Sequence, residues 1–380
     1  MIRVGITGQN GFIGQHLFNF LALEESIQRV PFSREYFDLP EKLDAFVRSC
    51  DVIVHLAALN RHRDMQVVHD LNVGLVTRLV QAMKSASATP HVIFSSSSQE
   101  GQDNLYAASK RQGRRIFQDW ADRTGARFTG MIIPNVFGPF GRPEYNSVVA
   151  TFCHRLTHGD HPKILVDNSL EMIYVHDLCK DIIRIIYGTI RKNPYKAPYC
   201  AKKKVSNILE LLEHYKQRYF DNHVIPELGT HFEQSLFNTF VSYIDYSAFF
   251  PGKLLPHVDN RGHFVELLKL DKSGGQVSFS TTRPKITRGD HYHTRKFERF
   301  VVIKGKASIQ LRRIGTDRII EFVINANTSP GFVDIPVWHT HNITNVGHEE
   351  LYTIFWINEF YNPCDSDTFY ERVSLHESPH

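Results

Sequence analysis

The chain has 380 residues, room for two domains at the usual size of about 100–200 residues each. Its 42% hydrophobic content is enough for packed cores and excludes a disordered chain, and a net charge of only +4 gives no concentrated nucleic-acid signature. Five scattered cysteines (Cys50, Cys153, Cys179, Cys200, Cys364) without a CxxC pair argue against a disulfide framework and suit a reducing cytoplasm. The sequence opens directly on a strand, Ile2–Ile6, with no signal-peptide pattern and no apolar run long enough for a bilayer. A cytoplasmic protein with no membrane or nucleic-acid partner is expected. The short run Lys202-Lys203-Lys204 reads as a solvated loop.

Ile2–Thr7 predicts a buried strand, followed by Gly8-Gln9-Asn10-Gly11-Phe12-Ile13-Gly14 and a helix with Ile13, Leu17, Phe20 and Leu21 on one face. Strand, glycine turn and helix in this order suit a pyrophosphate: glycine lets the backbone approach closely, and a helix N-terminus offers free N–H groups. Gly8, Gly11, Phe12, Ile13 and Gly14 are therefore cofactor-binding candidates. The second strand, Arg29–Phe32, ends in Ser33-Arg34 where an NAD-preferring fold carries an acid. A hydroxyl and a guanidinium suit a 2′-phosphate, which points to NADP(H), although Glu35 is adjacent. A third strand, 51–58, ends in Leu56-Ala57-Ala58, small enough for close passage of a cofactor. A helix with Val68, Leu71, Leu75 and Leu79 inward carries Asn72, and strand His91–Phe94 runs into Ser95–Ser98. This alternation predicts an α/β fold, a Rossmann-type doubly wound parallel sheet.

Tyr106 and Lys110 are spaced i, i+4 on a predicted helix, so phenol and ammonium share a face. A cation there would lower the phenol pKa, and a serine at the preceding strand end could bond the same carbonyl oxygen. These residues resemble the extended short-chain dehydrogenase/reductase family over roughly the first 245 residues. The resemblance implies Tyr106 as proton donor, Lys110 as ribose ligand and tuner of Tyr106, and Ser97 as catalytic serine, with Ser96 as the alternative register. It also implies roles for Asn72 in its helix and for Asn135 in Pro134–Pro139 near the cofactor. Arg142 and Asn146 become candidate substrate contacts, and Tyr174-Val175-His176-Asp177 matches a further family segment. Only eight residues separate Ser97 from Tyr106, which is short for the family. Ser206 is expected to N-cap a helix over Ile208–Tyr219.

From about Tyr243 the helical period ends. Pro251-Gly252 and Pro256 punctuate a linker, which places the domain boundary at 245/246. Strands are predicted at 264–270, 276–282, 299–303, 307–312, 319–324, 331–335 and 351–356, an all-β jelly roll. Within it, His291 and His293 share one strand face, Glu298 follows five residues later, and Gly305 after that. Imidazoles with a carboxylate suit zinc or another divalent metal. The spacing resembles the first cupin motif. Pro336–Asn345 resembles the second, which implies His341 as fourth ligand, with His339 as the out-of-register alternative and Trp338 in place of a usual glycine. Asp259–Glu266 with Arg288–His291 also resembles cupin epimerases of 4-keto-6-deoxy sugar nucleotides, where the residue matching His291 is a base. Ligand and base cannot both be assigned to that imidazole, and the spacing favours ligand. His263, Tyr292 and His339 are the other candidate bases.

A reductase in series with a cupin resembles the CapF-type bifunctional capsular polysaccharide enzymes. That resemblance implies C3 epimerisation of a UDP-2-acetamido-2,6-dideoxy-4-hexulose, then NADPH reduction at C4. The product would be UDP-2-acetamido-2,6-dideoxy-L-talose, towards UDP-N-acetyl-L-fucosamine. It implies a UDP-linked 4-keto-6-deoxy N-acetylhexosamine as substrate, NADPH and zinc or another divalent metal as cofactors, and a homodimer. The alternatives are a reductase of another 4-keto sugar nucleotide whose cupin serves dimerisation, and a non-catalytic NADP-sensing protein.

Overall fold

A computed structural model describes residues 1–260, 262–272 and 274–374, with backbone alone at 258, 259 and 262–265. The chain divides into two compact units, residues 1–151 with 164–208, and 152–163 with 209–380.

In the first unit, strands β1 (Ile2–Thr7), β2 (Ile27–Val30), β3 (Val52–His55), β4 (His91–Ser97) and β5 (Phe128–Ile133) pair in parallel in the order β2-β1-β3-β4-β5, with a short strand at Tyr195–Lys196 beyond β5. The chain steps to opposite sides of β1 to place β2 and β3, so a crevice opens at their C-terminal ends. Helices α1 (Phe12–Leu21), α2 (Pro40–Ser49), α3 (Met65–Ser85) and α4 (Leu105–Thr124) form the connections. Phe32, Phe46, Leu79, Phe94 and Phe117 join the core between the sheet and α2–α4. The expected strand at 29–32 lies two residues earlier, yet Phe32 still reaches the core from beyond its end. A small sheet pairs Asn135–Phe137 with Ser169–Tyr174 in parallel.

The helix expected at 208–219 begins at Val205 and gives way to a π-helical turn, Lys216–Phe220. Ser206 is therefore inside its first turn rather than at its cap. Asp167 supplies the acceptor instead, bonding the Ser206 N–H at 2.8 Å and its hydroxyl at 3.0 Å.

The second unit is built on two five-stranded sheets. One holds β6 (Gln276–Thr282), β8 (Glu298–Lys304), β11 (Gly331–Ile335) and β13 (Leu351–Ile357), with a two-residue strand at Gly252–Lys253. The other holds β7 (Thr287–Tyr292), β9 (Lys306–Arg313), β10 (Ile319–Asn325), β12 (His339–Asn345) and β14 (Phe369–Tyr370). All their pairings are antiparallel. Two antiparallel sheets with alternating buried residues make a jelly roll. The strand expected at 264–270 resolves into Gly262–Val265 and a single bridge from Leu270 to Ile225. A buried network joins Arg299 to Asp334 at 2.6 and 2.8 Å, and Tyr219 donates to the same carboxylate at 2.7 Å. The 245/246 division separates the expected chemistries, while the packing units change over within the chain at 151/152, 163/164 and 208/209.

Candidate active sites

At the C-terminal end of β1, Gly8 adopts φ +81°, and a Cβ there would lie 2.7 Å from the Ala57 nitrogen. A Cβ on Gly14 would lie 2.2 Å from the Gly8 carbonyl oxygen. A side chain at position 8 would push the turn off the segment after β3, and one at position 14 would push the Gly8–Gln9 backbone off the start of α1. Gly11 lies just before α1, and Phe12 and Ile13 begin it. Ser33 precedes a short 3-10 turn that starts at the exposed Arg34. Asn72, buried on α3, pins the segment after β3: it accepts from the Leu59 N–H at 2.7 Å and donates to the Leu59 carbonyl at 3.0 Å.

Asn104 caps α4 by accepting from the Ala107 N–H at 2.8 Å, so Tyr106 lies in the first turn and Lys110 one turn later. The Lys110 ammonium is buried, donates to the Ser95 carbonyl at 2.9 Å and lies 5.8 Å from the Tyr106 ring centroid. Burial pushes its pKa down to about 8, against a smaller opposing effect of Glu100. Ser97 lies close enough to the Tyr106 phenol to lower its pKa, and its hydroxyl accepts from the Gln99 N–H at 3.1 Å. Ser96 instead donates to Glu100. The expectation of a lowered tyrosine pKa is not met: burial of the phenol raises it, and Ser97 offsets only part. A phenol that stays protonated suits a proton donor. Glu100, in the short turn between Ser97 and Tyr106, takes both Arg114 nitrogens at 3.0 Å. Asn135 is exposed and donates to the Glu171 carbonyl at 3.1 Å. Arg142 and Asn146 are exposed, with Arg142 over the Tyr145 ring at 5.2 Å.

In the jelly roll, His291 on β7 pairs directly with His341 on β12, and Glu298 opens β8 of the facing sheet. A bulge between Gly289 and His291, with Gly289 at φ +108° and Asp290 at +57°, sets the turn of the His291 side chain. One candidate ligand atom from each of His291, His293, Glu298 and His341 lies within 4.8 Å of all the others. His339 is not in this group. It lies on the same strand face, buried, with Nδ1 at 3.1 Å from the Val337 carbonyl, and burial pushes its pKa down to about 4. Tyr292 points to the other face of β7 and packs on Trp338 and Phe369, away from the cluster. The His263 side chain lies outside the described residues.

The donor set fits a divalent cation. His293 Nδ1 lies 2.6 Å from the Asp367 carbonyl, and His341 Nδ1 lies 3.2 Å from the His339 carbonyl. A carbonyl only accepts, so both Nδ1 atoms carry the proton and both Nε2 atoms turn a lone pair inward. Those Nε2 atoms lie 3.2 and 3.3 Å from Glu298 Oε2, and all three atoms are buried without a hydrogen-bond partner. Acceptors facing an acceptor require a proton or a cation between them. Burial alone would raise the Glu298 pKa, but His293 and His341 hold it well below the usual carboxylate range. Burial opposes charge on His293, and Glu298 raises its pKa nonetheless. Burial, then His341 and His293, push His291 down to about 4, which leaves it neutral and able to ligate near pH 7.

Residues 4–193 match the NAD dependent epimerase/dehydratase family, and residues 257–369 match the polysaccharide biosynthesis C-terminal domain. The chain is 34% identical over 377 residues to a UDP-2-acetamido-2,6-beta-L-arabino-hexul-4-ose reductase of Pseudomonas aeruginosa, covering 97% of this chain and 98% of that one. The crystal structure of the capsular polysaccharide assembling protein CapF from Staphylococcus aureus superposes with a TM-score of 0.63 at 32% identity, over 98% of this chain and 100% of that one. The chain belongs to the CapF family. The spore coat polysaccharide biosynthesis protein SpsL of Bacillus subtilis is 27% identical over 123 residues, 30% of this chain and 82% of that protein. A CapF-family chain thus combines a Rossmann-type reductase fold with a jelly roll. Among the described residues no helix is long and apolar enough to cross a membrane.

Proposed function

We propose that the protein acts in two steps on a UDP-linked 2-acetamido-2,6-dideoxy-4-hexulose. Residues 246–380 epimerise C3, and residues 1–245 then reduce the C4 ketone with NADPH. The product is UDP-2-acetamido-2,6-dideoxy-L-talose, towards UDP-N-acetyl-L-fucosamine for capsule or O-antigen. The observation that carries this reading is the presence in one chain of the Ser97–Tyr106–Lys110 group and the His291–His293–Glu298–His341 group. The chain-long similarity to a reductase of such a sugar supports it.

The order of the steps follows from the chemistry. A C3 proton is acidic only while C4 is a ketone, so epimerisation precedes reduction, and reduction locks the C3 configuration. NADPH supplies the hydride for C4. The Tyr106 phenol delivers the proton to the C4 oxygen, and the Ser97 hydroxyl bonds the same oxygen. Lys110 holds the cofactor ribose and keeps positive charge beside Tyr106 as the phenolate forms. Ser33 and Arg34 are the proposed partners of the NADPH 2′-phosphate, with Gly8, Gly11, Phe12, Ile13 and Gly14 at the pyrophosphate. Leu56, Ala57, Ala58 and Asn135 lie along the rest of the cofactor. Arg142 and Asn146 are proposed to contact substrate. His291, His293, Glu298 and His341 would hold zinc or another divalent metal, which supplies Lewis-acid stabilisation of negative charge on oxygen. The cupin resemblance extends the proposal to a cytoplasmic homodimer.

The test is product analysis. The protein, loaded with zinc, is incubated with NADPH and the UDP-4-keto sugar, and the product is read by NMR. C4 reduction with inverted C3 is expected. Reduction with C3 unchanged would leave a reductase alone, and no NADPH oxidation would end the proposal.

A further inference from the structure

The segment 365–373 has no part in either sequence motif, yet it is built around the metal-ligand group. Its centre is Asp367, a buried residue with φ +45°, a conformation that aspartate tolerates better than bulkier side chains. The Asp367 carbonyl accepts from His293 Nδ1 at 2.6 Å. Its carboxylate accepts the backbone N–H groups of Thr294 at 3.2 Å, Arg295 at 3.0 Å and Lys296 at 3.2 Å, and the Thr294 hydroxyl at 2.6 Å. One residue thus fixes the tautomer of a ligand and the turn that leads from His293 to Glu298. Its neighbours are tied down from the other side: the buried Lys296 ammonium donates to the Ser366 carbonyl at 2.7 Å, and Arg295 reaches Asp365 at 3.0 Å. Two residues on, Phe369 and Tyr370 pair with Tyr292 and His291. Beyond them, the Glu371 N–H donates to the Asp290 carbonyl at 2.9 Å, and the buried Arg312 holds the Arg372 and Val373 carbonyls at 2.8 Å.

We infer that Asp367 is a positioning residue for the metal centre, and that through it the C-terminal strap 365–373 sets metal affinity. A strap that merely covered the jelly roll would need neither a buried carboxylate on three consecutive N–H groups nor a carbonyl on the ligand itself. A free turn at 294–296 would let His293 and Glu298 sample geometries that do not converge. The strap restricts this before the ion arrives, so the ordering cost falls on folding rather than on binding. The inference rests on the metal-centre reading proposed above.

The test measures zinc affinity of the full chain by competition with a chromophoric chelator, together with the visible spectrum of the cobalt(II) form. Asp367→Asn places an amide N–H against donors, and a 10- to 100-fold weaker zinc affinity with an altered cobalt spectrum is expected. Thr294→Val, which removes one of the contacts and keeps the rest, is expected to weaken zinc severalfold and serves if Asp367→Asn does not fold. Asp317→Asn, exposed in the turn between β9 and β10 and outside the strap, is expected to bind zinc within about twofold of the parent. Parent-like affinity and an unchanged cobalt spectrum in Asp367→Asn, or in Thr294→Val where that variant stands in, would overturn the inference and leave the metal centre standing. A parent protein that takes up no metal would overturn both.

Discussion

Lys110 shows how burial turns an ordinary side chain into a pH-dependent one. Its ammonium is enclosed, which pushes its pKa from 10.5 down to about 8. As pH rises through about 8, the folded protein loses this charge while the unfolded chain keeps it. The folded state then binds fewer protons, so the Lys110 contribution to stability rises with pH in this window. A falling rate there is chemical rather than a sign of unfolding. The expectation is a descending limb in kcat/KM for NADPH-dependent reduction with an apparent pKa near 8, and a profile flat to pH 9.5 would contradict it. Trp338 is a second case. It stands where the cupin motif usually has glycine, and its φ of +61° shows that the turn still demands the left-handed conformation. That strain costs about 1 kcal/mol. The buried indole stacks on Tyr292 at 5.7 Å between ring centroids, and losing such a side chain costs about 3–5 kcal/mol. Packing wins, so Trp338→Gly should destabilise the protein by roughly 2–4 kcal/mol despite restoring the motif. Thermal unfolding reads this directly, and a higher Tm would refute the comparison.

The elements of both candidate sites were largely legible, because each rests on a short-range pattern. Alternation placed strands at 276–282 and 331–335 to the residue, and strand–glycine–helix spacing located the turn at 8–14. Elements whose ends depend on distant partners were less so. The helix at Val205 starts where Asp167, far back in the chain, offers its carboxylate, and no local signal announces that. Asp367 escaped for the same reason: a single aspartate in a loop gains meaning only from the turn some 70 residues earlier that it holds. The short link from Ser97 to Tyr106 is another such case. Glu100 within it is clamped by Arg114, and its side chain is only 11% exposed. Arg114→Met would leave that carboxylate without its cation. A loss of about 2 kcal/mol is expected, which lowers Tm by several degrees. A reductase rate about tenfold lower is also expected, because Ser97 and Tyr106 lose their fixed spacing. A normal rate with the lowered Tm would show the clamp to be purely structural.

At the scale of the whole molecule, the proposed function divides one reaction sequence between the two sets of residues. In it, Tyr106 has no part in exchanging a C3 proton, and the metal-ligand group has no part in hydride transfer. Fold class and the four-residue metal-ligand group were readable because both motifs are local. The way residues 209–241 join the jelly-roll unit was not, since that depends on tertiary partners such as Tyr219 and Asp334. If the division of labour holds, epimerisation proceeds without the reductase cofactor. The most direct measurement incubates the zinc-loaded protein with the UDP-4-keto sugar in D2O, without NADPH, and follows deuterium at C3 by NMR or mass spectrometry. Deuterium should enter C3 at an undiminished rate in Tyr106→Phe and be lost in Glu298→Gln. No solvent deuterium at C3 with the parent protein, under conditions where added NADPH is oxidised, would contradict the account.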